Sequence, residues 1–334
     1  MLTRRRFLQI TAFSSLAALL GYIRLTPTNQ PTASSTVLSS PIPVTPNAGF
    51  FVEWYKFGDP PEIPRDWRLD VQGQVDHPLH LSLDDIRALP SVVEMRTLMC
   101  ISNVSGGDAI GNAIWRGVKL RDLLLSAGIQ ASAREIRLES FDGYDTSIPI
   151  ALALDDHSLL VYEMNNVPLP QDHGAPLRCL FPGRYGQKQP KWIRTITAIA
   201  ENHLGHWERV GWSNEAIVLP HSRIVTPETR ARITTPTFSL QGIAFANETG
   251  VAKLEIGWDD VTEWREANLT RAPSPLAWAT WVWTGETLPA GWHQIFAQTT
   301  DGQGHRQTFP LPTGAGDSFP SGSDTMAWSM LEFL

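Results

Sequence analysis

The chain has 334 residues, a formal net charge of −7, 42% hydrophobic and 18% charged residues. Its length predicts two folded cores, its apolar content argues against disorder for most of the chain, and scattered basic residues in an acidic total argue against a nucleic-acid partner. The two cysteines, Cys100 and Cys179, are too few for a disulfide framework, and no C-x-x-C pattern supports a zinc cluster or attached haem. A single bridge between the two stays open in an oxidising compartment.

Thr3-Arg4-Arg5-Arg6-Phe7-Leu8-Gln9 precedes an apolar run over residues 10–23. Such a run suits a signal peptide and is short for a membrane span. The arginine pair followed by Phe-Leu reads as a twin-arginine signal over residues 1–25, which predicts a periplasmic or otherwise extracytoplasmic protein. No clear A-x-A site follows, so retention as a membrane anchor stays open. The twin-arginine route carries folded proteins, which raises the expectation of a cofactor inserted before export. Residues 26–46, rich in Pro, Thr and Ser, read as an extended linker.

From residue 47 to 225 strand-like alternation (67–73, 79–83) is interrupted by short helical runs. Ser82-Leu83-Asp84-Asp85 caps a helix ended by Pro90, and residues 120–127 form another, stopped by Gly128. Mixed elements without a βαβ rhythm predict an α+β domain. Within it Cys100 ends a strand, Arg96-Thr97-Leu98-Met99-Cys100, and enters Ile101-Ser102-Asn103 and the pair Gly106-Gly107. A thiolate beside permissive backbone suits a soft metal, although a lone cysteine is more often an apolar filler. Asn103 reads as a support for that loop or as a plain turn-former. Asp142-Gly143-Tyr144 reads as a turn. Arg178, Arg184, Lys188, Lys191 and Arg194 concentrate positive charge in an acidic chain.

Residues 226–334 change texture to short apolar runs (233–240, 243–246, 251–256, 278–283, 292–298) separated by turn residues, which predicts a β-sandwich. Trp281 and Trp283, two apart, would share one sheet face and pack in the core. Residues 313–325 read as irregular.

The cysteine segment, with Trp115-Arg116-Gly117-Val118-Lys119-Leu120 downstream, resembles the cysteine motif of the sulfite oxidase family of molybdopterin enzymes. Pro168-Leu169-Pro170-Gln171-Asp172-His173-Gly174-Ala175-Pro176-Leu177-Arg178 and Pro182-Gly183-Arg184-Tyr185-Gly186-Gln187-Lys188-Gln189-Pro190-Lys191-Trp192 follow in the family's order. The resemblance implies a molybdenum-molybdopterin cofactor, with Cys100 completing the sulfur ligands of the metal. It places His173 and Arg178 at the cofactor phosphate, Lys188 and Lys191 at the pterin, and Asp142 within possible reach of it. It also implies that the sandwich is immunoglobulin-like and mediates a homodimer.

Two departures matter. Val104 and Ser105 stand after Asn103 where family members that oxidise sulfite carry arginines, and Glu53 stands where another is expected. Trp212 occupies the position of the family's active-site tyrosine. Sulfite is a dianion and wants cations around it. Their loss favours a neutral or weakly polar S-oxide or N-oxide in two-electron oxygen-atom transfer, with Arg184 as the remaining source of positive charge and Glu53 as a candidate proton carrier. Sulfite oxidation proper, or a binding module that lost its cofactor, are the alternatives. No haem, flavin or nicotinamide motif is present, so a separate electron-transfer partner is expected.

Overall fold

The computed structural model describes residues 42–56, 58–309 and 318–334. The signal over residues 1–25 and most of the linker lie outside the described residues. Docked chain begins earlier than residue 47. Ile42 is buried, Thr45 N donates to Asn112 O (2.7 Å), and Asn112 Nδ2 donates to Pro43 O (3.1 Å).

The described chain is mostly β-sheet, with only short helices: Leu83–Arg87, Leu120–Ser126, Ile150–Ala153 and His206–Arg209. It therefore meets the α+β expectation only loosely. The two helices read from the sequence form where capping chemistry and Gly128 put them. Ser82 Oγ accepts from Asp85 N (3.1 Å) while Asp85 Oδ2 accepts from Ser82 N (2.8 Å), a reciprocal capping box.

Four sheets organise the rest. One orders its strands Leu79–Leu81, Leu69–Gly73, Ile193–Ile199, Glu135–Ser140 and Asp145–Pro149, with a parallel pairing between the second and third. Another orders Ser91–Met99, Ile110–Lys119, Leu159–Met164 and Val167–Pro168, and Arg178–Leu180 also pairs with Leu159–Met164. These two sheets share a core containing Leu69, Val71, Ile136, Val118 and Leu160, all at most 1% exposed. Removal of each such side chain from water is worth roughly 1.5–3 kcal/mol. The strand Ser91–Met99 becomes fully buried only over its last four residues, so it delivers Cys100 to the interior end of the sheet.

The other two sheets face each other across a second core. One orders His221–Thr226, Thr237–Phe245, Ala279–Glu286 and Asn268–Thr270; the other orders Arg232–Ile233, Ala327–Phe333, Gly291–Asp301, Val251–Trp258 and Arg265–Glu266. Trp281 and Trp283 both enter this core, on one face of their strand as their spacing predicts. The runs read as 233–240 and 243–246 are divided differently: Ile233 belongs to the short strand Arg232–Ile233 of the other sheet, and residues 237–245 form one continuous strand, Thr237–Phe245. Gly242 does not break it, because a Cβ there would collide with the Trp281 ring and the Arg223 carbonyl. His221–Thr226 pairs into the same sheet, a few residues before the expected change of texture.

A third apolar cluster ties the cysteine segment to these later strands. Met99, Ile101 and Ile110 pack with Tyr185, Val218, Ile243, Phe245 and Trp278. Thr97 adds two bonds, its N donating to Leu276 O (2.9 Å) and its Oγ1 accepting from Trp278 N (2.9 Å).

Candidate active site

The cysteine loop is held from inside. Cys100 N donates to Ala109 O (2.9 Å), Asn103 N donates to Cys100 O (3.1 Å), and Asn103 Oδ1 accepts from Ala109 N (3.0 Å). Asn103 is buried, and Gly107 is needed beside it because a Cβ at that position would overlap the Asn103 side chain. The loop presents the Cys100 Sγ to a cavity of about 240 Å³, with Ser102 Oγ 3.1 Å from the sulfur. Burial pushes the thiol pKa up, and the hydrogen bond with Ser102 pulls it partly back. A buried thiol that stays protonated is a poor nucleophile in water but is ready to bind a soft metal, which displaces the proton. Cys179 is wholly buried in the first core, so the bridge left open in sequence does not form; both thiols are free.

Of the residues singled out in sequence, Cys100, Glu53, His173, Arg178, Lys191 and Trp212 line this one cavity. His173 Nε2 lies 3.1 Å from Asn47 O, and desolvation lowers its pKa. Arg178 is wholly buried; it donates to His173 O (3.0 Å) and Gln189 O (3.2 Å), and its Cζ stands 5.5 Å from the Trp115 ring centre. Burial brings its pKa down to about 10. Lys191 Nζ sits between the rings of Trp54 (4.5 Å) and Trp192 (4.4 Å) and donates to Asp172 O (3.0 Å). Desolvation first, then the Arg178 charge, lowers it to about 7.

Three residues stand elsewhere. Asn103 lies behind the cysteine loop, as its supporting role requires. Lys188, expected at the pterin, does not line the cavity: its ammonium is 2.6 Å from Glu208 and donates to Thr146 Oγ1, Ser147 O and Asn214 Oδ1 at 2.9–3.0 Å. A buried lysine takes the nearest carboxylate, since an unpaired charge there is costly. Arg184 does not line the cavity either; its guanidinium reaches only the Gly183 carbonyl (3.4 Å).

The turn Asp142-Gly143-Tyr144, which the resemblance put within reach of the cofactor, also meets this cavity, through Asp142 and Tyr144. Tyr144 is buried and donates to Gln187 O (2.6 Å). Phe51, Trp54, Tyr55, Trp192 and Trp207 complete the walls. The only signal for these aromatics was their crowding near Phe50 and after Lys191.

The arrangement fits an anionic cofactor. Arg178 Nε is buried without a partner, and neither Arg178 nor Lys191 has a carboxylate within ion-pair distance among the described residues. Gly174, at φ +115°, makes room between them: a Cβ there would come within 3.0–3.1 Å of the Lys191 and Arg178 side chains. A phosphate would supply the missing acceptors.

The family model of the oxidoreductase molybdopterin binding domain matches residues 57–207. An uncharacterized oxidoreductase of Bacillus subtilis strain 168, YuiH, is 39% identical over 157 residues, covering 46% of this chain and 77% of that protein. The mitochondrial sulfite oxidase of Mus musculus is 30% identical over 286 residues, covering 72% of this chain and 52% of its own length.

The chain belongs to the sulfite oxidase family of molybdopterin oxidoreductases.

It is an oxidoreductase by that membership, and the family implies a molybdenum cofactor. The chain spans about half the length of the mouse sulfite oxidase it matches. The sulfane dehydrogenase SoxCD of Paracoccus pantotrophus shares the fold, with a TM-score of 0.68 at 18% identity over 82% of this chain and 80% of that one.

Proposed function

We propose that this family member catalyses two-electron oxygen-atom transfer on a small neutral or weakly polar S-oxide or N-oxide, with molybdenum-molybdopterin held through Cys100, Arg178, His173 and Lys191. The observation that carries the substrate side is Glu53. It lines the Cys100 cavity while remaining solvent-exposed, with its pKa raised by desolvation on the cavity side, and Arg184 does not line that cavity. Lys191 pulls the Glu53 pKa partly back and Asp108 adds to the rise. A carboxylate opposes a dianion at close range; a protonated Glu53 donates a hydrogen bond to an oxide oxygen instead.

The bound cofactor supplies the oxygen-atom and electron chemistry. Reduction of an S-oxide consumes two electrons and two protons, breaks the S–O bond and releases water. Glu53, an ionisable group that lines the cavity, is the one we assign to carry one of those protons. Trp212, edge-on to Trp207 (6.5 Å between ring centres) and Phe319 (5.1 Å), closes the apolar side and keeps water away. Electrons come from a separate protein. Export by the twin-arginine route to the periplasm, and a homodimer through an immunoglobulin-like sandwich over residues 226–334, complete the proposal; the facing sheets and the Arg4-Arg5 pair support it.

The test is a turnover panel on protein purified with its maturation machinery. Sulfoxides and N-oxides should be reduced with artificial donors while sulfite is oxidised weakly; faster sulfite oxidation would reverse the assignment. Less than stoichiometric molybdenum in active protein would remove the metal from it.

A further inference from the structure

We infer that the far side of the hairpin over residues 140–145 holds a second binding site, for a small inorganic oxyanion. It is independent of the substrate assigned to the Cys100 cavity. A separate polar cavity of about 290 Å³ opens there, and Tyr144 lines both.

Its donors are unmatched. Ser140 is 2% exposed, yet its Oγ has no hydrogen-bond partner. Arg137 spends one nitrogen on Glu139 (Nη2 to Oε1, 3.0 Å) and leaves its buried Nε without an acceptor. Arg194 has no ion pair or hydrogen bond among the described residues. Its placement is built in: Ile193 pairs with Ser140 and Thr195 with Glu139, so Arg194 is the extra residue of a β-bulge. Bulges re-aim a side chain, and this one aims a guanidinium to the cavity. Arg209 differs, being held by Asp145 through two bonds (2.9 and 3.2 Å), so it frames the site without being free for a ligand.

Three arginines thus face two carboxylates, and the donors left over are one hydroxyl, one guanidinium N–H and one whole guanidinium. Buried donors seek acceptors, and an oxyanion offers several oxygens to charge-assisted bonds at once. Ser140 and Asp145 begin and end the turn that carries Asp142 and Tyr144 into the active cavity. An anion on this side therefore grips the hairpin that shapes the other.

Sulfate binding to the full-length holoenzyme, by equilibrium dialysis, tests the site, with selenate soaked into crystals to locate it. One saturable site is expected, with selenate density beside Ser140 and Arg194. Arg194→Gln should weaken binding at least about tenfold, since a hydrogen bond to a charged group is worth that much, while Ser140→Ala weakens it severalfold. Arg178→Gln, in the other cavity, should leave it unchanged, and phosphate should compete where acetate does not. The inference fails if no saturable binding occurs below about 10 mM, a weak affinity for any built site. It fails equally if binding survives Arg194→Gln but is lost in Arg178→Gln, or if acetate competes as well as phosphate. Because Arg194 is exposed and unpaired, its substitution leaves the fold, molybdenum content and sulfate-free turnover unchanged.

Discussion

In the active cavity two cations, the buried Arg178 and the partly buried Lys191, have no carboxylate within ion-pair distance among the described residues. The same cavity is lined by Glu53, which is solvent-exposed, and by the rings of Phe51, Trp207 and Trp212, and among the described residues Arg178 is its one lining arginine. The two cations lack an acceptor, whereas Glu53 adds a negative charge that weighs against a dianion. That contrast separates two questions the family name would merge. In the function we propose, the cofactor side keeps the family's demand for negative charge, whereas the substrate side has dropped it.

The largest effect should come from Cys100, which lines the cavity together with both groups. Cys100→Ser should reduce turnover by more than the roughly 100-fold that loss of a supporting group costs a metal site. Molybdenum content and turnover measured together check this, and a fully active Cys100→Ser enzyme would detach the metal from the cysteine loop.

Next comes Lys188, which sharpens what belongs to the cationic side. It leaves the same loop as Lys191, three residues earlier, but ends on Glu208. Breaking a buried pair by removing one partner costs about 3–5 kcal/mol. Lys188→Met should therefore lower unfolding stability by that order in a urea titration, leaving the cofactor retained by molecules that stay folded. A variant of unchanged stability that loses cofactor would return Lys188 to the pterin.

The two lysines also show where the sequence was legible. Motif order identified the loop, and alternation identified the strands that carry it, because both depend on neighbours along the chain. Which lysine faces the cavity depends on Glu208, a partner twenty residues away on a short helix, and no local pattern announces it. The Asp142-Gly143-Tyr144 turn was readable for the opposite reason, being local, while the bond from Tyr144 to Gln187 was not. Asn103 was readable because its bond to Ala109 is local. Gly242 misled because a glycine inside a strand reads equally as a break or as a close approach, and only the Trp281 ring decides.

The substrate side can be inverted directly. Glu53→Arg should raise kcat/KM for sulfite relative to a neutral sulfoxide by about tenfold or more, since it replaces a like charge with an opposite one. Steady-state assays of both substrates decide, and an unchanged ratio would mean that Glu53 does not face the substrate.

The smallest effect is a pH slope, and it probes the cationic side alone. Lys191 has a folded pKa of about 7, against about 10.4 in an unfolded chain. Between those values the unfolded chain holds a proton that the folded one has released, so unfolding takes up protons and stability rises with pH. Below about 7 both states are protonated, and the folded state carries the full penalty of a desolvated ammonium with no carboxylate at ion-pair distance. Protein prepared without molybdopterin should therefore gain stability as pH climbs from 7 towards 10, and Lys191→Met should lack that part of the gain. Bound cofactor should flatten the slope too, because its phosphate restores the charge Lys191 is missing and raises its folded pKa. Urea midpoints of the three forms across that window are the measurement. Parallel slopes in wild type and Lys191→Met would mean that the Trp54 and Trp192 faces already satisfy the ammonium, and that the cavity has no vacancy for an anion at Lys191.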